Sequence, residues 1–316
     1  MINIRYLTTI IFNLLFFAVY NSQDVFYLDS NYPGLEPKIY APGILSLPNR
    51  CEHGLTIRDN GSEHIFGLDG KKDWTYNGLV CLKRDKNQTL IFDTLKFTDK
   101  ITRRNNGIIG EEPNFSSDNQ FLFFVSDYPT DIWKVKIDGK GKWGEPIRLD
   151  TAVNSQGSEW FPIIARDNCL YFARDLKGNI VIHKAELVNG EYKKVAKLEA
   201  AFNYDCGDQV FSKNMDYIIF ASPRQGGFGN NDLYIAFKKD NGEWTDGINM
   251  GPEINTEGFE LDPYISPDGK YLFFTRRDKY NESTTSDIYW VSLDIVSKIK
   301  STIKFNSSNL SQAGQR

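Results

Sequence analysis

The stretch Asp262–Asp278, "DPYISPDGKYLFFTRRD", is the part of the sequence that decides the fold. An alternating apolar run leads into Pro-Asp-Gly, and a second apolar run follows and ends in charged residues. Aromatic and β-branched side chains in alternation are typical of strands. Gly269 supplies the positive φ angle that a tight turn needs after Asp268. The stretch therefore predicts a β-hairpin.

The same hairpin pattern recurs along the chain. Copies include "EEPNFSSDNQFLFFVSD" from Glu111 and "EWFPIIARDNCLYFARD" from Glu159. The predicted turn residues of the five copies follow one another at intervals of 58, 49, 47 and 54 residues. These turn residues are Asn60, Asp118, Asp167, Asn214 and Asp268. A period of about 50 residues indicates a repeat architecture.

Each repeat continues in the same order after its hairpin. An aromatic-rich strand follows, as in "DIWKVKI" from Asp131 and "DIYWVSL" from Asp287, and then a turn and a fourth strand. No helical periodicity is visible after the N-terminal segment. Four antiparallel strands per repeat predict an all-β fold, a β-propeller of five four-stranded blades.

The N-terminal segment supplies the strand that the last repeat lacks. The stretch "LEPKIYAPGILS", from Leu35, resembles the fourth strand "GEPIRLDTAVNS" but has no first three strands before it. The last repeat has three strands and no good fourth. We expect the N-terminal strand to complete the last blade and so close the ring, which leaves no unpaired edge between first and last blades. A six-bladed ring, with a degenerate blade formed by the tail and residues 24–34, is the alternative.

These repeats resemble the WD40-like (PD40) β-propeller repeats of the TolB-related superfamily. The likeness lies in "DPYISPDGKYLFF" followed by "SDIYWV", with a weaker copy in "EPNFSSDNQFLFF" and "DIWKV". It spans residues 35–297 and is weakest in the first repeat, where His64 takes a strand position that is usually apolar. The resemblance implies an extracytoplasmic scaffold whose loops bind partners. It implies no particular activity, because propellers host unrelated functions.

The first 22 residues differ from the rest of the chain. A single early cation, Arg5, precedes a mostly apolar run that ends in polar "NSQD". This pattern predicts a secretory signal segment over residues 1–22, with an uncleaved anchor as the alternative. The predicted organisation continues with a closing segment over 23–48, the propeller over 49–299 and a polar tail over 300–316. We expect an exported protein, periplasmic or secreted, with no stable membrane span after signal removal.

Charge and cysteine content limit the partners. The formal net charge is −4 and no basic cluster is present, which argues against nucleic acid. The four cysteines show no CxxC and no metal-ligand spacing, and their pairing cannot be read from sequence. We therefore expect a monomer whose ligand is a protein or a carbohydrate.

Carboxylates recur at the start of the predicted first strands. Three of them, Glu112, Asp208 and Asp262, lie one residue before the position equivalent to Pro263, and three, Glu52, Glu159 and Glu260, lie three residues before it. A two-residue offset keeps strand side chains on one face, so the sequence predicts a ring of acids at the channel mouth. Such a ring suits a divalent cation or a basic ligand; no other cofactor is predicted. The alternative is that each acid accepts hydrogen bonds from the adjoining blade.

Two long loops between second and third strands are the candidate binding loops. "RQGGFGNND" carries Arg224 and Phe228, and "RRDKYNESTTSD" carries Arg276 and Arg277. Loops at this position of every repeat lie on one face of the disc. The function predicted is a binding or scaffold module without catalysis. The alternative is a carbohydrate-active hydrolase that uses channel carboxylates, which would have to lie about 5–5.5 Å or 6.5–9.5 Å apart.

Overall fold

The computed structural model describes residues 25–302 except 59, 70–76, 86, 88, 102–107, 139–140, 199–201, 203–204 and 279–284. The predicted signal segment lies outside these residues. Among the described residues no helix is long and apolar enough to cross a membrane.

The strands form consecutive antiparallel units in chain order. The first four units have four strands each, and the fifth has three, to which β1 is added. A two-residue strand, β1 (Lys38–Ile39), comes first. The first unit comprises β2 (Cys51–Ile57), β3 (Glu63–Asp69), β4 (Asn77–Arg84) and β5 (Leu90–Thr94). A 3-10 helix (Lys96–Lys100) leads to the second unit: β6 (Ile108–Phe115), β7 (Phe121–Asp127), β8 (Asp131–Ile137) and β9 (Trp143–Arg148).

The remaining units follow the same plan. The third comprises β10 (Glu159–Ile164), β11 (Leu170–Asp175), β12 (Ile180–Val188) and β13 (Glu191–Lys197). The fourth comprises β14 (Gly207–Phe211), β15 (Tyr217–Ser222), β16 (Asp232–Phe237) and β17 (Ile248–Asn249). The fifth comprises β18 (Phe259–Ile265), β19 (Tyr271–Arg277) and β20 (Ser286–Ser292).

The N-terminal strand pairs with the last unit, as its sequence predicted. Lys38 lies opposite Trp290, and Ile39 lies opposite Tyr289, in antiparallel register. The first strands contact one another from unit to unit, and β18 also contacts β2. A parallel bridge between Cys51 and Ser286 joins the first and last units within one sheet.

One helix contradicts the prediction that the chain after its N-terminal segment contains none. Residues 294–302 form a helix, α1. Ile295 and Val296 are buried in the same apolar cluster as Leu272 and Phe274 of β19. Ile299 packs against the same cluster one turn later, so the apolar face extends only over residues 295–299 and is too short to stand out in the sequence. This helix crosses the predicted boundary at residue 300.

The predicted hairpin turns are present, and most turn residues act as expected. Asp268 Oδ1 accepts hydrogen bonds from Ser266 Oγ at 2.7 Å and from Lys270 N at 3.1 Å. Asp118 makes the same two kinds of bond in the second unit. Asn60 and Asp167 each accept a hydrogen bond from the backbone N–H of the residue two positions later. In the fourth unit the acid that bonds the turn serine is Asp216, not the predicted Asn214.

A buried hydrogen bond ties the N-terminal segment to the first unit. The hydroxyl of Tyr40 accepts a bond from the Leu28 N–H at 2.9 Å and lies 2.8 Å from Nε2 of His64, with which it shares a hydrogen bond. Both side chains are fully buried or nearly so. Burial lowers the pKa of His64 to about 3, so its imidazole is neutral in the folded chain near pH 7.

This histidine makes stability depend on pH. The unfolded chain takes up a proton as pH falls below about 6.5, whereas the folded chain does not, so the histidine's contribution to stability is present above that pH and is lost toward acid. Between pH 7 and pH 5 we expect wild type to lose about 2 kcal/mol of unfolding free energy relative to His64→Gln, which keeps an acceptor but cannot titrate. Urea unfolding of both proteins at each pH measures the difference. A difference that stays constant with pH would contradict the assignment.

Candidate binding site on the inner strands

Every first strand carries a β-bulge with a left-handed residue at the same position of the repeat. The register shifts by one residue at this bulge, for example between Leu261 and Tyr264 of β18, and β6 has a second such shift, with Gly110 also at positive φ. The left-handed residues have φ angles from 48° to 54°, and they are Gly54, Glu112, Phe161, Asp208 and Asp262. Non-glycine residues adopt this conformation only when surrounding structure stabilises it. The hydrogen bonds between units supply that stabilisation.

A small cavity lies among these bulges. It is lined by the five bulge residues and by neighbours that include Gln209 and Tyr264. Its volume is about 30 Å³, enough for about two water molecules. Residues of the first strands of all five units therefore meet at this cavity.

Three carboxyl groups at the cavity bond to the next unit. Glu112 Oε2 accepts the Phe161 N–H at 2.5 Å, and Asp208 Oδ2 accepts the Asp262 N–H at 3.1 Å. Asp262 Oδ2 in turn accepts the Gly54 N–H at 3.1 Å. Each of these acids thus joins its own bulge to the bulge of the following unit.

The third unit has a phenylalanine at the bulge and uses a different bond. The carbonyl oxygen of Phe161 accepts a hydrogen bond from Gln209 Nε2 at 2.7 Å, which links the third unit to the fourth. Gln209 is fully buried, and its Oε1 atom has no hydrogen-bond partner among the described residues. No sequence signal marked Gln209, because it occupies the position that is proline in three other repeats.

The six predicted carboxylates do not form a single ring. Glu112, Asp208 and Asp262 line the cavity, whereas Glu52, Glu159 and Glu260 do not. The two sets do not share a face because a bulge lies between them in the strand. The bulge begins directly after the glutamate of the outer set, and its left-handed backbone turns the inner residue in another direction. The structure therefore separates an inner set of acids at the cavity from an outer set at the strand starts.

The outer acids bind arginine side chains and the segments that connect one unit to the next. Glu260 Oε1 accepts bonds from Arg276 Nε at 3.0 Å and from Thr256 Oγ1 at 2.7 Å. Arg276 also donates to the Ile254 carbonyl, at 2.7 Å. Glu159 repeats this arrangement with Arg174 and Ser155. Glu52 pairs with Arg50, which precedes the strand instead of lying on the neighbouring strand.

The placement of Arg276 and Arg277 in a binding loop is a second prediction that is wrong. Arg276 and Arg277 are not loop residues, since both belong to β19. Arg276 is held by Glu260, and Arg277 is buried. Six residues of the predicted loop, 279–284, lie outside the described part of the chain.

Burial and like charge raise the pKa of the inner acids. Burial raises the pKa of Glu112 well above its usual value, and the charges of Asp262 and Glu111 raise it further. Burial and then Asp262 raise the pKa of Asp208 in the same way. Burial also raises the pKa of Asp262, against the lowering effect of His53, of hydrogen bonds and of Arg277. The environment thus favours protonated carboxyl groups in this cavity.

The other predicted loop is ordered and exposes an aromatic ring. Asp232 accepts hydrogen bonds from the N–H groups of Phe228, at 2.6 Å, and Gly229, at 2.9 Å. Asn230 N donates to the Gly258 carbonyl at 2.8 Å, which fixes the loop against the next unit. Phe228 nevertheless remains 48% exposed. Arg224 lies over the rings of Phe220 and Tyr234 instead of projecting to solvent.

No group of three or more His, Cys, Asp or Glu side chains among the described residues is arranged to hold a metal ion. The predicted divalent cation site therefore stays a prediction. All four cysteines are buried, and no disulfide joins them.

No protein-family model matches this chain, and no curated protein matches its sequence. Solved structures do match. A GH62 α-L-arabinofuranosidase catalytic domain from Coprinopsis cinerea aligns over 82% of this chain and 97% of its own, with 7% identity and a TM-score of 0.53. A GH43 endo-arabinanase from Bacillus licheniformis aligns over 78% of this chain and 95% of its own, with 10% identity and a TM-score of 0.50.

A TolB protein from Agrobacterium tumefaciens aligns over 72% of this chain and 71% of its own, with 12% identity and a TM-score of 0.46. At these identities the likeness to solved structures shows the fold alone. The chain has an all-β propeller fold built from mostly antiparallel four-stranded sheets. Membership of the PD40 repeat family in particular has no support from sequence comparison.

The outer acids give a direct test of their structural role. We expect Glu260→Ala to lower the unfolding free energy by about 3–5 kcal/mol, because it leaves the largely buried Arg276 guanidinium without its carboxylate. Glu253→Ala is the matched control. It breaks an ion pair with Lys298 in which both side chains are nearly half exposed, and it should cost less than about 1 kcal/mol. Equal losses in chemical unfolding would show that Glu260 does not stabilise the fold in this way.

Proposed function

We propose that this chain is an exported β-propeller of five blades, closed by its N-terminal strand, that binds a protein or glycan ligand without catalysing a reaction. The pairing of β1 with β20 and the contact between β18 and β2 support the closed ring. The apolar N-terminal segment supports export.

The observation that carries this proposal is that the carboxyl groups at the cavity are already hydrogen-bonded to neighbouring units. Glu112, Asp208 and Asp262 each accept a backbone N–H from the next unit. A cavity of about 30 Å³ beside them is far below the roughly 300–1,000 Å³ of pockets that enclose small-molecule ligands. The inner acids therefore serve to join the blades, and a whole sugar ring has no place among them.

The binding surface we propose is the face formed by the loops between second and third strands. Two of these loops expose a large aromatic side chain: Tyr128 is 61% exposed and Phe228 is 48% exposed. Aromatic side chains on an ordered loop contact a partner at low cost in conformational entropy. Both a protein surface and the apolar face of a sugar suit such side chains.

The surface is tested by removing its aromatic rings. A screen of defined glycans and envelope proteins first identifies the ligand. We expect Phe228→Ala and Tyr128→Ala each to weaken binding of that ligand by roughly tenfold or more, as for buried aromatic contacts at interfaces. Leu187→Ala is the matched control, because Leu187 is also 47% exposed but lies at the turn between third and fourth strands, on the opposite face. Equal effects of all three variants would exclude this face.

A carbohydrate-active hydrolase is the second candidate. One observation favours it: Asp208 accepts the Asp262 N–H at 3.1 Å, and burial and the charge of Asp262 raise the pKa of Asp208, as an acid partner in hydrolysis requires. The arabinan-cleaving enzymes named above have the same fold, which supports the candidate only by analogy.

Hydrolysis separates the two candidates. We expect the purified protein to release no reducing sugar from arabinan, galactan or xylan above the rate of a heat-treated sample. Release that disappears in Asp208→Asn, with the melting temperature kept, would establish the hydrolase instead.

A further inference from the structure

The wall of the central cavity is rich in hydrogen-bond acceptors. The carboxyl groups of Glu112, Asp208 and Asp262 line it, and so does Gln209. Gln209 is fully buried and uses its Nε2 on the Phe161 carbonyl, while its Oε1 has no partner within the described part of the chain. A buried amide oxygen without a donor is costly, so this atom points to a ligand or a water that supplies one.

Acidic groups from three strands act on one another around the cavity. Burial, and then the charges of Asp262, Glu111 and Asp208, raise the pKa of Glu112 on β6, and Asp262 on β18 acts on Asp208 on β14 in the same way. His53 on β2 and Arg277 on β19 lower the pKa of Asp262. A cation that enters the cavity favours the ionised form of these acids.

The geometry favours an ammonium group over a metal ion. A metal needs several ligands at fixed short distances, and the described residues offer no such group of three. An ammonium group is about the size of a water molecule, and its three N–H donors tolerate ordinary hydrogen-bond distances. The cavity has room for a group of that size and opens to solvent past Phe161, Asp262 and Tyr264, which are partly exposed.

We propose that this cavity binds a primary ammonium group, with the Gln209 amide oxygen and the Asp208 and Asp262 carboxylates as its acceptors. The inference rests on the proposed binding function and gives the ligand a charged end. That end is either a lysine side chain of a protein partner or a free amine.

Proton release follows from this arrangement. Without a cation, burial and like charge raise the pKa of Glu112 and Asp208 and so favour their protonated form. An ammonium group favours their ionised form, so binding expels protons into solution. Affinity should therefore rise with pH until the amine itself loses its proton.

Calorimetric titration of the purified protein with n-butylamine and with Nα-acetyl-lysine methylamide tests the proposal. We expect saturable binding of both at pH 7, tighter binding at pH 8, and a heat that depends on the ionisation enthalpy of the buffer. Tetramethylammonium, which has the charge but no N–H, should not bind. Preference for the lysine derivative assigns the site to a protein partner, and equal affinity assigns it to free amines; both results support the site.

Two variants locate the binding. Asp208→Asn keeps an acceptor for the Asp262 N–H but removes a charge, and Gln209→Met removes the free amide oxygen. Each should weaken amine binding by roughly tenfold or more. Glu243→Gln, an exposed acid on the turn before β17, is the control and should leave affinity unchanged. Melting temperatures without amine confirm that each variant folds.

Absence of amine binding, or binding that neither variant weakens, would overturn the inference. It would leave the proposed ligand-binding face intact, because that face is tested independently through Phe228 and Tyr128. Ligand binding that stays unchanged in those loop variants, with amine binding retained, would instead leave the cavity site and remove the loop face.

Discussion

The bulge in each first strand is the constraint on which the rest of this structure depends. At the same position of every first strand a residue is forced into the left-handed region, with a φ angle near 50° at Asp262 and at its four counterparts. That conformation turns the backbone N–H and the side chain of this residue toward the adjacent unit. An isolated strand would gain nothing from it, since a side chain in this region is strained. The strain is offset because the next unit completes the hydrogen bond, so the units stabilise one another at the centre.

The acids show how one repeated residue type serves two roles. The outer glutamates bind arginines and so fix the link that enters each unit, with Glu159 and Glu260 in matching surroundings. The inner acids bind backbone N–H groups of the neighbouring unit, and among the described residues no arginine forms an ion pair with Glu112 or Asp208. Burial raises the pKa of the outer glutamates as well, but hydrogen bonds and arginine partners act against this effect. At Glu112 and Asp208 the charges of neighbouring acids add to the effect of burial instead.

The N-terminal segment stabilises the last unit by more than one strand. The Tyr27 hydroxyl donates to Asp268 at 2.7 Å, so the turn that opens the sequence pattern also fixes this segment. Trp290, which lies opposite Lys38, is fully buried within a cluster of aromatic rings that includes Phe273 and Tyr271. Tyr40 then reaches His64 in the first unit. The segment therefore contacts both sides of the junction between the first and last units.

The sequence by itself determined the repeat, the hairpins and the pairing of the N-terminal strand. The alternation of apolar and polar side chains and the turn residues are local properties, and they recur in each repeat. His64 looked like a local irregularity, and only the fold shows its partner, which lies outside its own repeat. The separation of the acids into two sets, the role of Gln209 and the placement of Arg276 in a strand were decided by tertiary structure. A bulge changes the direction of a side chain without changing the apolar pattern around it, and the donors that meet Glu112 or Glu260 come from other units or other strands. Helix α1 was missed for the same reason, since its burial depends on a surface that the propeller supplies.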